Sequence, residues 1–590
     1  MGLWWKRETT APEPTFNMYG IVSPDMITAD GQLLTLDVTD REAREENIDD
    51  VLDTFIGGRG VATKLAHDRI PFDADPFGPE NRVYVSTGPL QQATMSFTGR
   101  MNVTGLSPLS GGLLSTNAGG YLSRNFVGTG HNCVEVVGES DELLAIHVTE
   151  DGVEFEEVPE LEQATVPEVT EYVNNERDLE AENVLCIGPA GENLVRYACV
   201  MTYESRAFGR GGMGAVLGSK NVKAITFEGD AEFDVGLPED VQSEVHQKAA
   251  TSDSIFRRQG TTSGTEFIND EFSLPTRYFN DYHFEDVENI GGDAVESKKY
   301  KKGACSACAF ACKLPTRDEE TGLETEGPEF ETVYSFGSNQ GVGDVVDVMK
   351  SNDLCDEFGL DTISCGVTIA AYMDAHDEFG NAALAHELIE KIAYRDGEGD
   401  LLAEGVDRVH EELGVDNYTV KGVEFAAHDG RTIHGQGLSY AVANRGGDHM
   451  YSVMLRDEYD GNFPREGLDG KPERIVELEN YAAFRDSGII CAFSKEAEGF
   501  VTEETFEELF DTEYQKLMEI GSRVVELERH FNNRRGMDRA DDALPYEIPG
   551  FEAGLDEYYD TRGWNDDGTV PEQRVAGYAE TGDPSGTADD

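Results

Sequence analysis

No stretch of about 18 apolar residues occurs in the 590-residue chain, which argues against a membrane-spanning helix and makes a soluble enzyme the default reading. Basic residues are scarce. Against 116 Asp and Glu stand 47 Lys and Arg, a formal net charge of −69. Nucleic-acid binding, which needs Lys and Arg against phosphate, is disfavoured by that balance. The acidic residues are spread along the chain instead of being blocked together, so the charge is not that of one disordered acidic tail. Self-repulsion of this size destabilises a compact state in dilute buffer. At molar ionic strength the Debye length falls to about 3 Å and the repulsion is screened, which points to the cytoplasm of a salt-accumulating host. Nine cysteines are too few for a disulfide scaffold of this length, yet Cys305, Cys308 and Cys312 fall within eight residues. Such clustering points to a metal in a reducing cytoplasm. The start of the chain, Met1 to Pro12, lacks the long apolar core of a secretory signal and reads as a short tail.

A chain this long exceeds one hydrophobic core, and about three to five folding units are expected. From Met18 to about Phe227 it is rich in Gly and in short apolar runs, such as Val83–Val85, Val134–Val137, Val184–Ile187 and Ala224–Phe227, which read as strands. Beyond Asp234 the spacing turns helical, over Val241–Ala250, Asp344–Phe358, Cys365–Phe379, Leu384–Arg395 and Phe506–Phe531. Residues 577–590, rich in Gly, Thr and Asp, read as a disordered tail.

The cysteine spacing C-x2-C-x3-C lets one turning loop present three thiolates to one side of a cubane cluster. A zinc site more often pairs two C-x2-C units, and no second pair exists. Radical-SAM enzymes use the reverse order, and a two-cluster ferredoxin needs a longer run. One 4Fe–4S cluster is the best reading. Its fourth ligand is open among Cys133, Cys186, Cys199, Cys355, Cys365 and Cys491. Most of these sit in apolar runs, where free Cys is a small core residue. Cys491 differs, because it ends Asp486-Ser487-Gly488-Ile489-Ile490-Cys491, with a carboxylate and a thiolate five residues apart.

Two segments suit phosphate: Ser115-Thr116-Asn117-Ala118-Gly119-Gly120, and Ser205 to Ala215, where small residues let backbone N–H groups approach an anion while Arg206 and Arg210 add charge. Gly209-x-Gly211-x-x-Gly214 matches a dinucleotide fingerprint, but no hydrophobic strand precedes it and too few residues follow for the usual helix. Asp356-Glu357-Phe358-Gly359-Leu360-Asp361 pairs two carboxylates across a Gly that can stop a helix. Glu326 to Glu331 and Arg445-Gly446-Gly447-Asp448-His449 offer proton-transfer groups beside tight turns. Of these, His449 stands out, since a His on a Gly-rich turn is not easily explained as packing.

Taken together these segments resemble the aldehyde:ferredoxin oxidoreductase family, from Met18-Tyr19-Gly20 to about Gly563-Trp564. The ordered motifs include Gly88-Pro89-Leu90, Gly99-Arg100-Met101-Asn102, Asn117-Ala118-Gly119-Gly120, Ile187-Gly188-Pro189-Ala190-Gly191-Glu192-Asn193, Cys355 to Ser364 and Asn444-Arg445-Gly446-Gly447. The resemblance implies an α+β protein: a β-rich base domain of two sheets (18–234, after an extension at 1–17), then two mainly helical domains (235–417 and 418–576). It implies a tungsten or molybdenum bis-pterin between them, a 4Fe–4S cluster on Cys305, Cys308, Cys312 and Cys491, and a magnesium ion held by Asn117 and the backbone of Ala207. Pterin contacts would come from Arg100, Ala118, Gly119, Arg206, Gly209, Arg210, Asp356, Gly359, Leu360, Asp361, Asp486 and Ile490. Glu331 and His449 would face the metal. Two departures stand out. The family's second pterin segment places Gly three residues after the Asp, whereas Gly488 is two after Asp486. A Glu-x-x-His pair that contributes to an interfacial iron reads here Lys350 and Asp353, so a homodimer would lack that iron.

The implied reaction is oxidation of an aldehyde to a carboxylic acid in the cytoplasm, with electrons leaving to a ferredoxin. Alternatives are sugar-phosphate aldehyde oxidation, carboxylate reduction, or an electron-transfer protein without catalysis. The last is weakened by the presence of Asn117, Asp356 and Asp361.

Overall fold

The computed structural model describes residues 31–232, 236–495 and 499–578. The extension 1–17, the Met18-Tyr19-Gly20 motif, the boundary at 234 and residues 579–590 of the tail lie outside them.

Short strands, many of them apolar and buried along nearly their whole length, build the two sheets of the N-terminal half. The first comprises β1 (Gln32–Asp37), β2 (Glu42–Asn47), β3 (Val83–Ser86), β4 (Arg100–Leu106), β5 (Leu113–Gly119) and β6 (Cys133–Val137), in the order β2-β1-β6-β3-β4-β5. Only β1 and β6 run parallel in it. The second comprises β7 (Leu144–Thr149), β8 (Gly152–Glu157), β9 (Val184–Cys186), β10 (Val200–Thr202), β11 (Arg206–Phe208) and β12 (Val222–Glu228), in the order β11-β10-β9-β12-β7-β8. One face of each sheet packs on the other: Leu34, Leu36, Val83, Val85 and Val103 share a core with Ile146, Val148, Val200, Phe208 and Ile225. Because side chains alternate along a strand, Leu33, Tyr84 and Cys133 point the other way, into a core shared with helices.

Those helices are α1 (Gly58–Arg69), α6 (Lys471–Ser487), α7 (Tyr514–Arg534) and α8 (Phe551–Arg562). Between them in sequence lie α2 (Phe330–Phe336), α3 (Val345–Phe358), α4 (Thr362–His376) and α5 (His434–Val442). Helices α2 to α5 all contribute to a further core, α5 through Tyr440. The chain is therefore α+β, with two sheets between residues 32 and 228 and a mainly helical remainder. Among the described residues no helix is long and apolar enough to cross a membrane.

Two local expectations are corrected. The helical spacing of Phe506–Phe531 covers two helices, Glu503–Phe510 and α7, because Asp511 turns left-handed (φ 47°) and ends the first. The phosphate-friendly residues Ser115 to Gly119 lie on β5. A short helix, Met213–Ser219, does follow the glycines at 209–214, which serve close backbone packing: a methyl group on Gly214 would lie 2.2 Å from the Cys199 carbonyl oxygen, and one on Gly212 2.1 Å from that of Arg196.

Candidate functional site

The cysteine loop is seated against the first sheet by backbone contact. Ser306 N–H donates to Gly120 O at 2.8 Å, and Cys491 N–H donates to Phe97 O at 2.8 Å. Glycine is needed at the seat: a methyl on Gly99 would lie 2.8 Å from Ser306 O, and one on Gly119 2.9 Å from the Cys305 sulfur. Cys305, Cys308, Cys312 and Cys491 are all half-buried, whereas Cys133, Cys186, Cys199, Cys355 and Cys365 are buried in apolar surroundings. Burial pushes the Cys312 thiol well up, and the field of Cys491, Cys305, Glu329 and Cys308 adds to it. Cys491 is also raised by burial, against the opposing pull of the Arg100 guanidinium. Four thiols in one corner thus feel one another, and a bound cation would hold them as thiolates. Arg100 opens β4 and donates to Asn117 O at 3.1 Å, which places its guanidinium between this corner and β5.

Beside the corner, α3 ends at Gly359 (φ 74°) after presenting Asp356 in its last turn, and Asp361 caps α4 by accepting from Ser364 N–H at 2.9 Å. The two carboxylates therefore flank one tight turn. Leu360 between them is buried and bridges to Ala198. Asp356 accepts from Asn352 Nδ2 at 3.1 Å, and burial raises its pKa well above the usual range, against the pull of Arg206. Arg206 and Ala207 lie on β11, which packs against β5 and its Asn117 and Ala118. Gly209 has no room for a side chain beside Asp361, since a methyl would lie 3.0 Å from Oδ1. Arg210 sits 3.8 Å from Asp361.

Asp486 closes α6, ion-paired to Arg485 at 3.0 Å and to Arg59 of α1 at 3.5 Å. Arg59 in turn grips Glu528 of α7 by two bonds of 2.8 and 2.7 Å and covers the Tyr451 ring at 3.6 Å. Beyond Gly488, Ile489 takes the left-handed conformation (φ 58°). This is the third residue after Asp486, where the family pattern has Gly. A β-branched residue there costs about 1–3 kcal/mol, and its side chain fills the space over Gly58 and Gly88. Ile490 is buried next to it. Lys350 and Asp353, the positions of the missing Glu-x-x-His pair, form an ion pair of 3.0 Å on α3.

Glu331, at the start of α2, accepts from Ala427 N–H at 3.0 Å through Oε2. Its Oε1 lies 3.5 Å from His449 Nδ1. The ring of His428 lies 5.3 Å from that of His449. Burial drives Glu331 up to about 8, against Arg210, and drives His449 down to about 4, against Asp448. His428 is pushed well below its ordinary value by burial and by His449. Burial thus favours the uncharged form of all three groups, a carboxylic acid and two neutral imidazoles. Sequence reasoning missed His428. It precedes Asp429-Gly430, and the criterion that singled out His449, a His at a Gly turn, applies to it equally.

Four thiols gathered in one corner and a second pocket of buried carboxyl and imidazole groups fit a metal-dependent oxidoreductase. The chain belongs to the aldehyde ferredoxin oxidoreductase family: residues 33–229 match the family's N-terminal domain and residues 237–577 its domains 2 and 3. It is 32% identical to the tungsten-containing aldehyde ferredoxin oxidoreductase of Pyrococcus furiosus, covering 92% of this chain and 98% of the relative. The Thermococcus kodakarensis enzyme of the same name is also 32% identical, with the same coverage. The WOR-like subunit of the Pyrococcus furiosus aliphatic sulfonate oxidoreductase is 28% identical over 93% of this chain. The active-site complex BamBC of benzoyl coenzyme A reductase shares the fold, with a TM-score of 0.79 at 21% identity over 93% of this chain and 96% of that one.

The residues present fit an anionic pterin beside an iron–sulfur cluster. Buried donors without a hydrogen-bond partner include Nε of Arg206, Nε and Nη1 of Arg210 and Nζ of Lys313, although Arg206 is ion-paired with Glu326 and Arg210 with Asp361. Buried donors left bare are costly, and phosphate and dithiolene groups would offset that cost.

Proposed function

We propose that this chain oxidises aldehydes to carboxylic acids, RCHO + H2O giving RCOOH with two electrons and two protons, and that the electrons leave to a ferredoxin in the cytoplasm. When bound, a tungsto- or molybdopterin supplies Lewis acidity and accepts electrons, and a 4Fe–4S cluster passes them on singly. Cys305, Cys308, Cys312 and Cys491 would hold the cluster. Asn117 and the Ala207 backbone would hold magnesium between the pterin phosphates, with Arg206 and Arg210 nearby. Asp356, Asp361 and Asp486 would hold the two pterins, and Arg100 would donate between pterin and cluster. The same reading divides the chain at residues 234 and 417.

The observation that carries the proposal is the neutral Glu331–His449 pair. Oε2 of Glu331 is occupied as an acceptor, so its proton belongs on Oε1, facing His449 Nδ1 at 3.5 Å. At 3.5 Å the two atoms face each other without a hydrogen bond; a proton on Oε1 favours the imidazole tautomer with its own proton on Nε2, which can donate to a substrate carbonyl oxygen. Glu331 can then take a proton from the attacking water as it passes its own to His449. The test is plasma mass spectrometry on protein purified in molar salt, followed by an aldehyde screen with a viologen acceptor. About four iron with one tungsten or molybdenum per chain, together with aldehyde-dependent viologen reduction, is the expected result. Iron alone, from cells given both metals, would reduce the chain to a cluster protein.

A further inference from the structure

Glu331, His428 and His449 each offer one ligand atom, and the three atoms lie within 4.8 Å of one another. Oε1 of Glu331 and the Nδ1 atoms of both histidines are buried without a hydrogen-bond partner. His428 is 6% exposed. Its main chain is fixed by Tyr440, whose hydroxyl donates to His428 O at 3.0 Å, and its ring is packed against Phe330. Leaving three acceptor-capable atoms bare in one pocket is costly unless something is bound there.

We infer that Glu331, His428 and His449 form a two-histidine, one-carboxylate site that binds a single zinc ion, and that zinc bound there blocks turnover. The blocking half rests on the assignment of Glu331 and His449 as proton-transfer groups; the binding half does not. Donor type favours a borderline cation: two imidazoles and a carboxylate suit zinc, whereas magnesium and calcium prefer all-oxygen sites. Spacing agrees, because ligands around tetrahedral zinc with bonds of about 2.0–2.1 Å stand about 3.3–3.4 Å apart, and the Glu331–His449 pair is at 3.5 Å. Burial favours the uncharged, ligating form of both imidazoles, and zinc would displace the Glu331 proton as it binds. Charge around the site is mixed. Arg210, Arg445 and Arg485 reach His449 electrostatically, and Asp448 opposes them. Arg445 is ion-paired with Asp448 and Arg485 with Asp486. A fourth position is left for water, and zinc there would occupy the lone pairs needed to pass protons.

The experiment is equilibrium dialysis of the chelator-washed, tungsten- and iron-loaded protein against zinc in molar salt, with zinc-edge X-ray absorption on the retained metal and viologen-coupled turnover on the same samples. One tightly held zinc with two imidazole nitrogens and no sulfur neighbour is expected. In His428→Ala and in the near-isosteric Glu331→Gln the affinity should fall by more than the roughly 10–100-fold that losing even an outer-shell partner costs, with iron and tungsten content unchanged. A sulfur shell at about 2.3 Å would place zinc in the cysteine corner and overturn the proposal. So would oxygen-only coordination by surface carboxylates, or equal retention by both variants. Zinc held at this site with turnover unaffected would overturn the blocking half, whereas absence of any aldehyde turnover before zinc is added would count against the proposed reaction instead.

Discussion

The cysteine corner and the imidazole–carboxylate pocket are both built to receive something, yet they are built in opposite ways. Three of the corner's four thiols come from one ten-residue loop, held by backbone bonds from 97–120. The pocket takes one group from the start of α2, one from the segment before α5 and one from the Gly turn after it. A local loop can present ligands whatever the rest of the chain does. A pocket assembled from three distant segments exists only once the helical half has packed.

The comparison is broken most readily at the corner. Cys491→Ser should lose most of the bound iron and all viologen-coupled turnover, whereas Cys355→Ser and Cys365→Ser should keep their iron. Equal iron loss in all three would end the distinction between half-buried and buried thiols. Iron analysis of the purified variants decides it.

In the pocket, removing a proton-transfer group should spare the metals. Glu331→Gln and His449→Ala are each expected to lower kcat/KM by about 10²–10⁴-fold with iron and tungsten content intact. Metal loss in either would merge the two regions into one structural unit.

Next comes pH. Burial raises Glu331 to about 8 from an ordinary carboxylate value. A raised carboxylic acid contributes stability that is full below its unfolded pKa and is lost as pH rises through the folded value. Between about pH 5 and 8 the metal-free protein should therefore lose stability relative to Glu331→Gln, seen as a widening gap between their thermal midpoints in molar salt. In the loaded protein the same ionisation removes the proton on Oε1, so turnover should fall above about pH 8. Parallel midpoints across that range would remove the neutral-acid assignment.

The smallest effect belongs to a place that is neither corner nor pocket. Lys350 and Asp353 are partly exposed and three residues apart on α3, so Asp353→Ala should cost about 0.2–1 kcal/mol at low ionic strength, less in molar salt, and change no metal content. A change in metal content here would show that α3 transmits strain to Asp356.

Much of this was legible in particular residues. Short apolar runs separated by turns marked β3, β6, β9 and β12, because a continuous apolar run between turn signals is written locally. Asp356-Glu357-Phe358-Gly359-Leu360-Asp361 read as a helix stop, and Gly359 is that stop. Asp511 was not legible as a break, since no Gly or Pro marks the turn between Phe510 and Tyr514. That Ser115 to Gly119 form a strand was not legible, because their composition is small and polar and their pairing with β4 decides it. The resemblance selected Cys491 as the fourth thiol, and in the fold Cys305 and Cys308 lie within electrostatic reach of it. His428 went unnoticed although Asp429-Gly430 follows it, the same Gly-turn signal that marked His449.

The sequence by itself determined the acidic surface, the three-thiol loop, the Gly-flanked carboxylates and the order of a β-rich half before a helical one, because each is written in composition or in spacing over a few residues. Only the tertiary structure decided that Cys491 and not a buried cysteine faces the loop, that Ile489 takes the left-handed turn, and that Glu331, His428 and His449 meet in one pocket with their charges suppressed. Proximity across some 120 residues and the loss of water that shifts a pKa are both products of packing.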